Sequence, residues 1–269
     1  MELREVRDLV RRHLSGHRGE ARVLGSGYDN DAFLVGDLVV RVAKVPDREK
    51  LGHEARLLTA VAAISPVPVP EVVFVDHEHG CLAYRKLPGT PLIDVPAVGP
   101  FVLDQLAEFI ECTHTAEMAG LATVDNYSPA QWRDESVETY REIRDHVPVL
   151  HKPMVEAFLA DSPPQPSPER VFAHNDLGIE HILVDGTKIT GIIDWSDAEL
   201  TDPAHDFAAL YRDLGGPVVD RLLGKQAADV RARAVFYARC YALEDMAFAL
   251  REGQPKYHEK ALRALTWLF

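Results

Sequence analysis

The amino-acid sequence predicts an α+β protein in two parts. A small N-terminal lobe, residues 1–87, carries a five-stranded antiparallel sheet with one helix, and a larger, mostly helical C-terminal lobe fills residues 88–269. Five short segments of the first part are rich in β-branched and apolar residues, and a single helix-period stretch is inserted among them. "PGTPL" (88–92) breaks that pattern, and beyond it apolar residues recur mainly at helical spacing. A chain of 269 residues suits either one large domain or two lobes packed together.

The elements follow in order. "ELREVRDLVRRHL" (2–14) sets Leu3, Val6, Leu9, Val10, His13 and Leu14 on one helical face. Strands are predicted at 21–26, 31–36 and 38–43, with "GDL" (36–38) as a tight hairpin between the last two. Residues 47–62 read as a helix capped by Asp47 after Pro46. Two further strands are expected at 71–75 and 81–87. In the second part, 98–117 is amphipathic, and "SPAQW" offers a Ser128 cap, Pro129 at the first helical position and Gln131 to complete a capping box. Helices are predicted at 131–146, 203–213, 217–223, 229–251 and 256–268. Short strands are expected at 170–173, 181–184 and 188–193, the last two joined through the hairpin "VDGTK".

Composition narrows the class. With 46% hydrophobic and 26% charged residues the chain is ordinary for a folded protein, and only "DSPPQPSPER" (161–170) has linker composition. Cys81, Cys112 and Cys240 lack metal-type spacing and read as reduced thiols. The N-terminal stretch is charged throughout, unlike a signal peptide, and no apolar run is long enough to span a bilayer, so a cytoplasmic protein without a membrane partner is expected. The net charge of −13 is unevenly placed. Residues 1–90 hold 13 basic and 13 acidic side chains, and residues 91–269 hold 16 and 29. Such a field repels nucleic acid and favours small cations near the second part.

"HNDLGIEH" (174–181) lies between the apolar segments "VFA" and "ILV", so a very polar loop is anchored at both ends on strands. Its pattern is His174-x-Asp176-x₄-His181, and Asp194 of "GIIDW" follows 13 residues after His181. A hairpin between them returns Asp194 beside the loop, so Asp176, His181 and Asp194 are expected to converge. Two carboxylates and an imidazole in one cleft suit a divalent cation plus a free base. Phosphoryl transfer requires those parts.

This order of motifs resembles the catalytic core of protein kinases, and "HNDLGIEHILVDGTKITGIIDWSDAELTDPAHDFAALYRD" is most similar to the aminoglycoside phosphotransferase family. Histidine at position 181 is similar to the aminoglycoside 2″- and macrolide phosphotransferases. The resemblance implies a protein-kinase-like bilobal fold with a nucleotide-binding lobe followed by a catalytic and substrate-binding lobe. It implies Asp176 as the aspartate that engages the acceptor hydroxyl, His174 as a brace of the loop, and His181 and Asp194 as ligands of Mg²⁺. It places Asp206 behind the loop as a hydrogen-bonding support. "LGSGYDNDAFLV" (24–35) resembles the phosphate loop, with Ser26 and Gly27 at the nucleotide. Glu54 matches the partner of a phosphate-contacting cation, for which Arg41 and Lys44 are candidates. Strand alternation favours Arg41, which shares a face with Val39. "YRKL" (84–87) matches the hinge that reads the base, bringing in Arg85 and Leu87.

Asp197, Glu199, Glu244 and Asp245 are candidates for meeting an ammonium group of the substrate. Asp202, Asp213 and Glu252 read as solvated helix faces, and Trp195, Phe236, Tyr237 and Tyr241 as packing residues. The expectation is transfer of the γ-phosphoryl group of ATP or GTP to a hydroxyl of a cationic small molecule, an aminoglycoside first. A macrolide, a small amino alcohol or sugar, and a non-catalytic nucleotide-binding role are the alternatives. Either a monomer or a homodimer is compatible with the sequence.

Overall fold

The computed structural model describes residues 1–27, 29–223 and 228–269. Tyr28, within the predicted phosphate loop, lies outside the described residues. Strands β1 (Ala21–Ser26), β2 (Asn30–Val35), β3 (Leu38–Ala43), β4 (Val72–Asp76) and β5 (Cys81–Arg85) form one antiparallel sheet in the order β1-β2-β3-β5-β4. Gly36, at φ +63°, makes the β2–β3 turn, in the left-handed region that favours glycine.

The sheet works through the two-residue period of β3. Leu38, Val40 and Val42 pack against Val6, Leu9 and Val10 of α1 (Leu3–His13). Val39 points the other way, toward Leu57, Leu58 and Val61 of α2 (Arg48–Ile64), and joins the main core. Arg41 lies on the Val39 face, which is why it ends beside α2. The Asp47 carboxylate caps α2 by accepting from the amides of Glu49 and Lys50 at 2.9 and 3.0 Å.

The remainder is mostly helical: α3 (Pro100–His114), α4 (Pro129–Ile143), α5 (Lys152–Ala160), α6 (Ala204–Leu214), α7 (Gly216–Leu223), α8 (Ala228–Glu252) and α9 (Pro255–Leu268). Ser128 and Gln131 form the expected capping box of α4. Two small sheets are set among these helices. β6 (Thr90–Pro91), β9 (Ile182–Asp185) and β10 (Lys188–Ile192) form one, and β7 (Thr123–Val124), β8 (Val171–Ala173) and β11 (Glu199–Thr201) form the other. The β9–β10 hairpin is the one expected, displaced by one residue so that His181 sits in the loop before it.

The sequence does not show α5, whose nine residues bury only Val155 and Phe158, or β6, β7 and β11, which are too short to display a period. Asp202 and Asp213, expected at solvated faces, are buried at 7% and 3% exposure because each meets an arginine: Arg233 at 2.7 Å and Arg212 at 2.7 Å. Among the described residues no helix is long and apolar enough to cross a membrane.

Candidate active site

The loop 174–181 leaves β8 and enters β9, and its shape is held from below. The His174 ring is fully buried; its Nε2 donates to the Ile193 carbonyl at 3.0 Å, and its Nδ1 accepts the Asp176 amide at 3.3 Å. Burial lowers the pKa of this histidine, in keeping with a neutral ring that donates from one nitrogen and accepts at the other. Asn175 adopts φ +67°, an uncommon conformation for a non-glycine residue. It is held there by Asp206 on α6, whose two oxygens accept the Asn175 amide at 2.9 Å and the His174 amide at 3.3 Å. His114 of α3 binds the same carboxylate at 3.0 Å. Burial would raise the Asp206 pKa, but His114, His174 and the Asn175 amide lower it.

One turn further, Gly178 and Ile179 rest on a second α6 carboxylate, since Asp213 accepts the Ile179 amide at 3.0 Å. Asp206 and Asp213 are seven residues apart, two helical turns, and so share a face of α6. With its neighbours clamped at both ends, Asp176 keeps a side chain that is 38% exposed and faces the cleft.

His181 and Asp194 meet beside it. The backbone carbonyl of Asp176 takes His181 Nδ1 at 2.9 Å, which leaves Nε2 facing Asp194 at 3.8 Å. Burial alone would lower the His181 pKa, but Asp176, Glu180 and Asp194 together raise it. Asp194 also adopts a left-handed φ, +64°, and accepts from the Ser196 hydroxyl at 3.1 Å. Across the cleft, Arg41 bonds Glu54 at 2.5 Å and approaches Asp194 at 3.5 Å. Arg41 therefore holds the position paired with the helix glutamate.

No three His, Cys, Asp or Glu side chains among the described residues are grouped to hold an ion by themselves. The donor set nevertheless fits Mg²⁺, which keeps several waters and takes one or two carboxylates together with substrate phosphates. Asp194 offers the carboxylate such an ion takes, and His181 Nε2 stands 3.8 Å from it.

Two cavities meet at Asp176. One, of 420 Å³, is walled by Gly27, Arg41, His181 and Asp194. The other, of 710 Å³, contains Asp197, Glu199, Glu244 and Asp245, with Trp132, Tyr241 and Phe248 as aromatic walls. Asp176, Ser196, Asp197, Arg212, Asp245 and Phe248 belong to both. Burial, then Asp176 and Asp194, push the Asp197 carboxyl up to about 6. Burial, then Asp245 and Glu135, push Glu244 up to about 7. Asp197 is exposed and Glu244 half-buried, so these displacements mark like charges crowded around one cleft. Glu199 is half tied, accepting from the Thr123 hydroxyl at 2.8 Å.

The remaining candidates lie elsewhere. Lys44 donates to the Gly27 carbonyl at 2.6 Å and ties the loop after β1 to the end of β3. The Ser26 hydroxyl donates to Asp31 at 2.7 Å. Arg85 pairs with Asp37 of the β2–β3 turn, both exposed, and Leu87 packs where a side chain on Gly191 would otherwise stand. Neither Arg85 nor Leu87 lines the two cavities. The Trp195 ring packs at 1% exposure against Phe109, Phe172 and His174, as expected. Sequence reasoning missed Arg212, Lys260 and His114. Only the seven-residue spacing of Asp206 and Asp213 could have flagged α6 as the clamp.

Comparison with known proteins adds to this geometry. A profile described as the Phosphotransferase enzyme family matches residues 20–241. Viomycin phosphotransferase of Streptomyces vinaceus is 26% identical over 271 residues, covering 92% of this chain and 93% of its own. The GDP complex of wild-type aminoglycoside 2'-phosphotransferase-IIIa superposes with a TM-score of 0.73 at 20% identity, covering 99% of this chain and 98% of that one. The ligand-free macrolide 2'-phosphotransferase of Brachybacterium faecium superposes with a TM-score of 0.65 at 24% identity, covering 98% of each chain.

Proposed function

Because the chain belongs to the Phosphotransferase enzyme family, we propose that it moves the γ-phosphoryl group of ATP or GTP onto a hydroxyl of a cationic antibiotic, an aminoglycoside first. The observation that carries this reading is the 710 Å³ cavity, which Asp197, Glu199, Glu244 and Asp245 line together with Asp176. Asp245 is already met by Arg212 and Lys260 at 3.1 Å each, so Asp197, Glu199 and Glu244 are the carboxylates left for the ammonium groups of a polyamine-bearing sugar. The relatives named above support the acceptor class, and the GDP bound by one of them supports the donor class.

The roles follow from position. The acceptor enters the larger cavity, where its ammonium groups meet Asp197, Glu199 and Glu244. Asp176 orients the acceptor hydroxyl and takes its proton as the oxygen–phosphorus bond forms. The bond between the γ-phosphorus and the bridging oxygen breaks, and the nucleoside diphosphate leaves. Arg41, aimed by Glu54, contacts the phosphates from the smaller cavity, beside the backbone of Gly27. Asp194 and His181 would hold Mg²⁺, which would supply charge neutralisation at the phosphates. His174 and Asp206 keep Asp176 in place. Phosphorylation adds negative charge to a drug that depends on positive charge, and resistance follows.

A macrolide is the second reading, and one observation favours it: Trp132, Tyr241 and Phe248 give the same cavity an aromatic wall. A panel of kanamycin, viomycin, erythromycin and choline, each with Mg·ATP and Mg·GTP, separates the readings. The expected result is the highest kcat/KM with kanamycin. Turnover with erythromycin alone would replace the aminoglycoside by a macrolide, and turnover with choline alone would point to metabolic work.

A further inference from the structure

Lys260, on the C-terminal helix α9, has a side chain only 1% exposed. Its ammonium lies 2.6 Å from Glu180 Oε1, 3.1 Å from Asp245 Oδ2 and 3.8 Å from Asp213 Oδ1. Arg212 bonds Asp213 at 2.7 and 2.9 Å and stands 3.1 Å from Asp245. Three carboxylates and two cations are thus enclosed together, with one negative charge in excess. Lysine is almost never buried this completely unless paired, and a buried ion pair is weak evidence for stability but has a recognised use in fixing one arrangement of chain.

What is fixed here is the second half of the catalytic loop. Glu180 directly precedes His181, and Asp213 holds the Ile179 amide. Gly178 leaves room for the pair underneath: a Cβ there would meet Glu180 Oε2 at 2.7 Å and Arg212 Nη2 at 2.8 Å. Glu180 Oε2 has no hydrogen-bond donor among the described residues, so the Lys260 ammonium is the closest tie of that carboxylate. The same ammonium stands at ion-pair distance, 3.1 Å, from Asp245 Oδ2 without a hydrogen bond to it, and Asp245 lines both cavities. Lys260 and Asp245 both lie beyond residue 241, where the family profile ends.

We propose that Lys260 is a positioning residue that ties the catalytic loop, through Glu180, to the acceptor wall, through Asp245. The C-terminal helix thereby sets the distance between the phosphoryl-transfer site and the acceptor cleft. Lys260 lines neither cavity, so its role is positional, and misplacing a reacting group by about 1 Å costs on the order of 10²-fold in rate.

The inference rests on the phosphotransferase assignment and not on which acceptor is used, so the test reads nucleotide hydrolysis to water and backbone hydrogen exchange. Lys260→Met, Glu180→Ala and the double variant are compared with wild type in Mg·GTP and Mg·ATP. Each single variant is expected to lower kcat by about 10²-fold with nucleotide KM within about two-fold, and to speed amide exchange over 177–182 while exchange in α3 is unchanged. The double variant should be no worse than the poorer single one, because the two residues act as a unit. Multiplication of the two losses would overturn the proposal, as would a lower melting temperature with unchanged kcat and loop exchange. Should Lys260→Met not fold, Glu180→Ala alone decides: intact loop protection and intact kcat would refute the role. Loop exchange remains decisive even if hydrolysis to water is too slow to measure.

Discussion

At the scale of single residues, the site is a set of carboxylates whose surroundings assign them different work. Asp206 has no exposure and accepts from two backbone amides and an imidazole, so it can only support. Asp176 is open to the cleft. Glu244 is crowded, and its carboxyl is pushed up to about 7 by burial, then by Asp245 and Glu135. A cationic acceptor requires its ionised form, so acceptor KM should fall as pH rises from 6 to 8. In Glu244→Gln that dependence should flatten, and a steady-state pH profile checks it. For stability the sign is opposite. The folded pKa lies above the unfolded value near 4.5, so this group's contribution is present below 4.5 and is lost as pH rises through about 7. Arg41→Met should raise the Kd for GDP about tenfold or more, because it removes the cation held by Glu54. Fluorescence titration with GDP reads that directly. That His174, Asp176, His181, Asp194 and Asp206 come together was legible because their spacing is local to one loop, one hairpin and one helix. Lys260 was not, since nothing near it in sequence signals a buried cation 80 residues from its partner Glu180.

At the scale of elements, caps and periods carried the prediction. The Asp47 cap, the Ser128–Gln131 box and the β2–β3 hairpin depend on contacts within a few residues and are found where the sequence places them. Ser128→Ala should cost about 1 kcal/mol in a denaturant titration. The elements missed, α5 and the two- and three-residue strands, exist through tertiary packing and leave too short a pattern to read. An acid-sensitive lock joins α1 to the sheet. Asp76, at the end of β4, receives His13 at 2.9 Å and His79 at 3.0 Å, and the His13 ring stacks on Phe74 at 4.4 Å. Burial works against its ionisation, yet the bonds from His13 and His79 lower its pKa well below the ordinary carboxylate value near 3.8. Its stabilisation is therefore present above that value and is lost as pH falls through the folded pKa. Melting curves of Asp76→Asn should show a lower melting temperature at pH 7 and a weaker further decline between pH 4 and pH 2 than wild type.

At the scale of the whole molecule, one hydrophobic core runs from α2 and the inner face of the N-terminal sheet into the helices beyond residue 100, and the polar cleft opens along it. The charge distribution fits that plan: the acidic excess lies in residues 91–269, which supply Asp197, Glu199, Glu244 and Asp245 to the larger cavity. Salt should therefore weaken acceptor binding more than nucleotide binding, an effect visible as acceptor KM rising between about 0.05 and 0.5 M salt while nucleotide KM changes little. The most direct test of the central claim is mass spectrometry of kanamycin after incubation with Mg·ATP or Mg·GTP and either wild type or Asp176→Asn. Wild type should add one phosphoryl group to the acceptor, and the variant should do so at least about 10²-fold more slowly while still binding nucleotide. Equal rates from both proteins would contradict the account, and so would an unmodified acceptor after long incubation with nucleotide-saturated wild type.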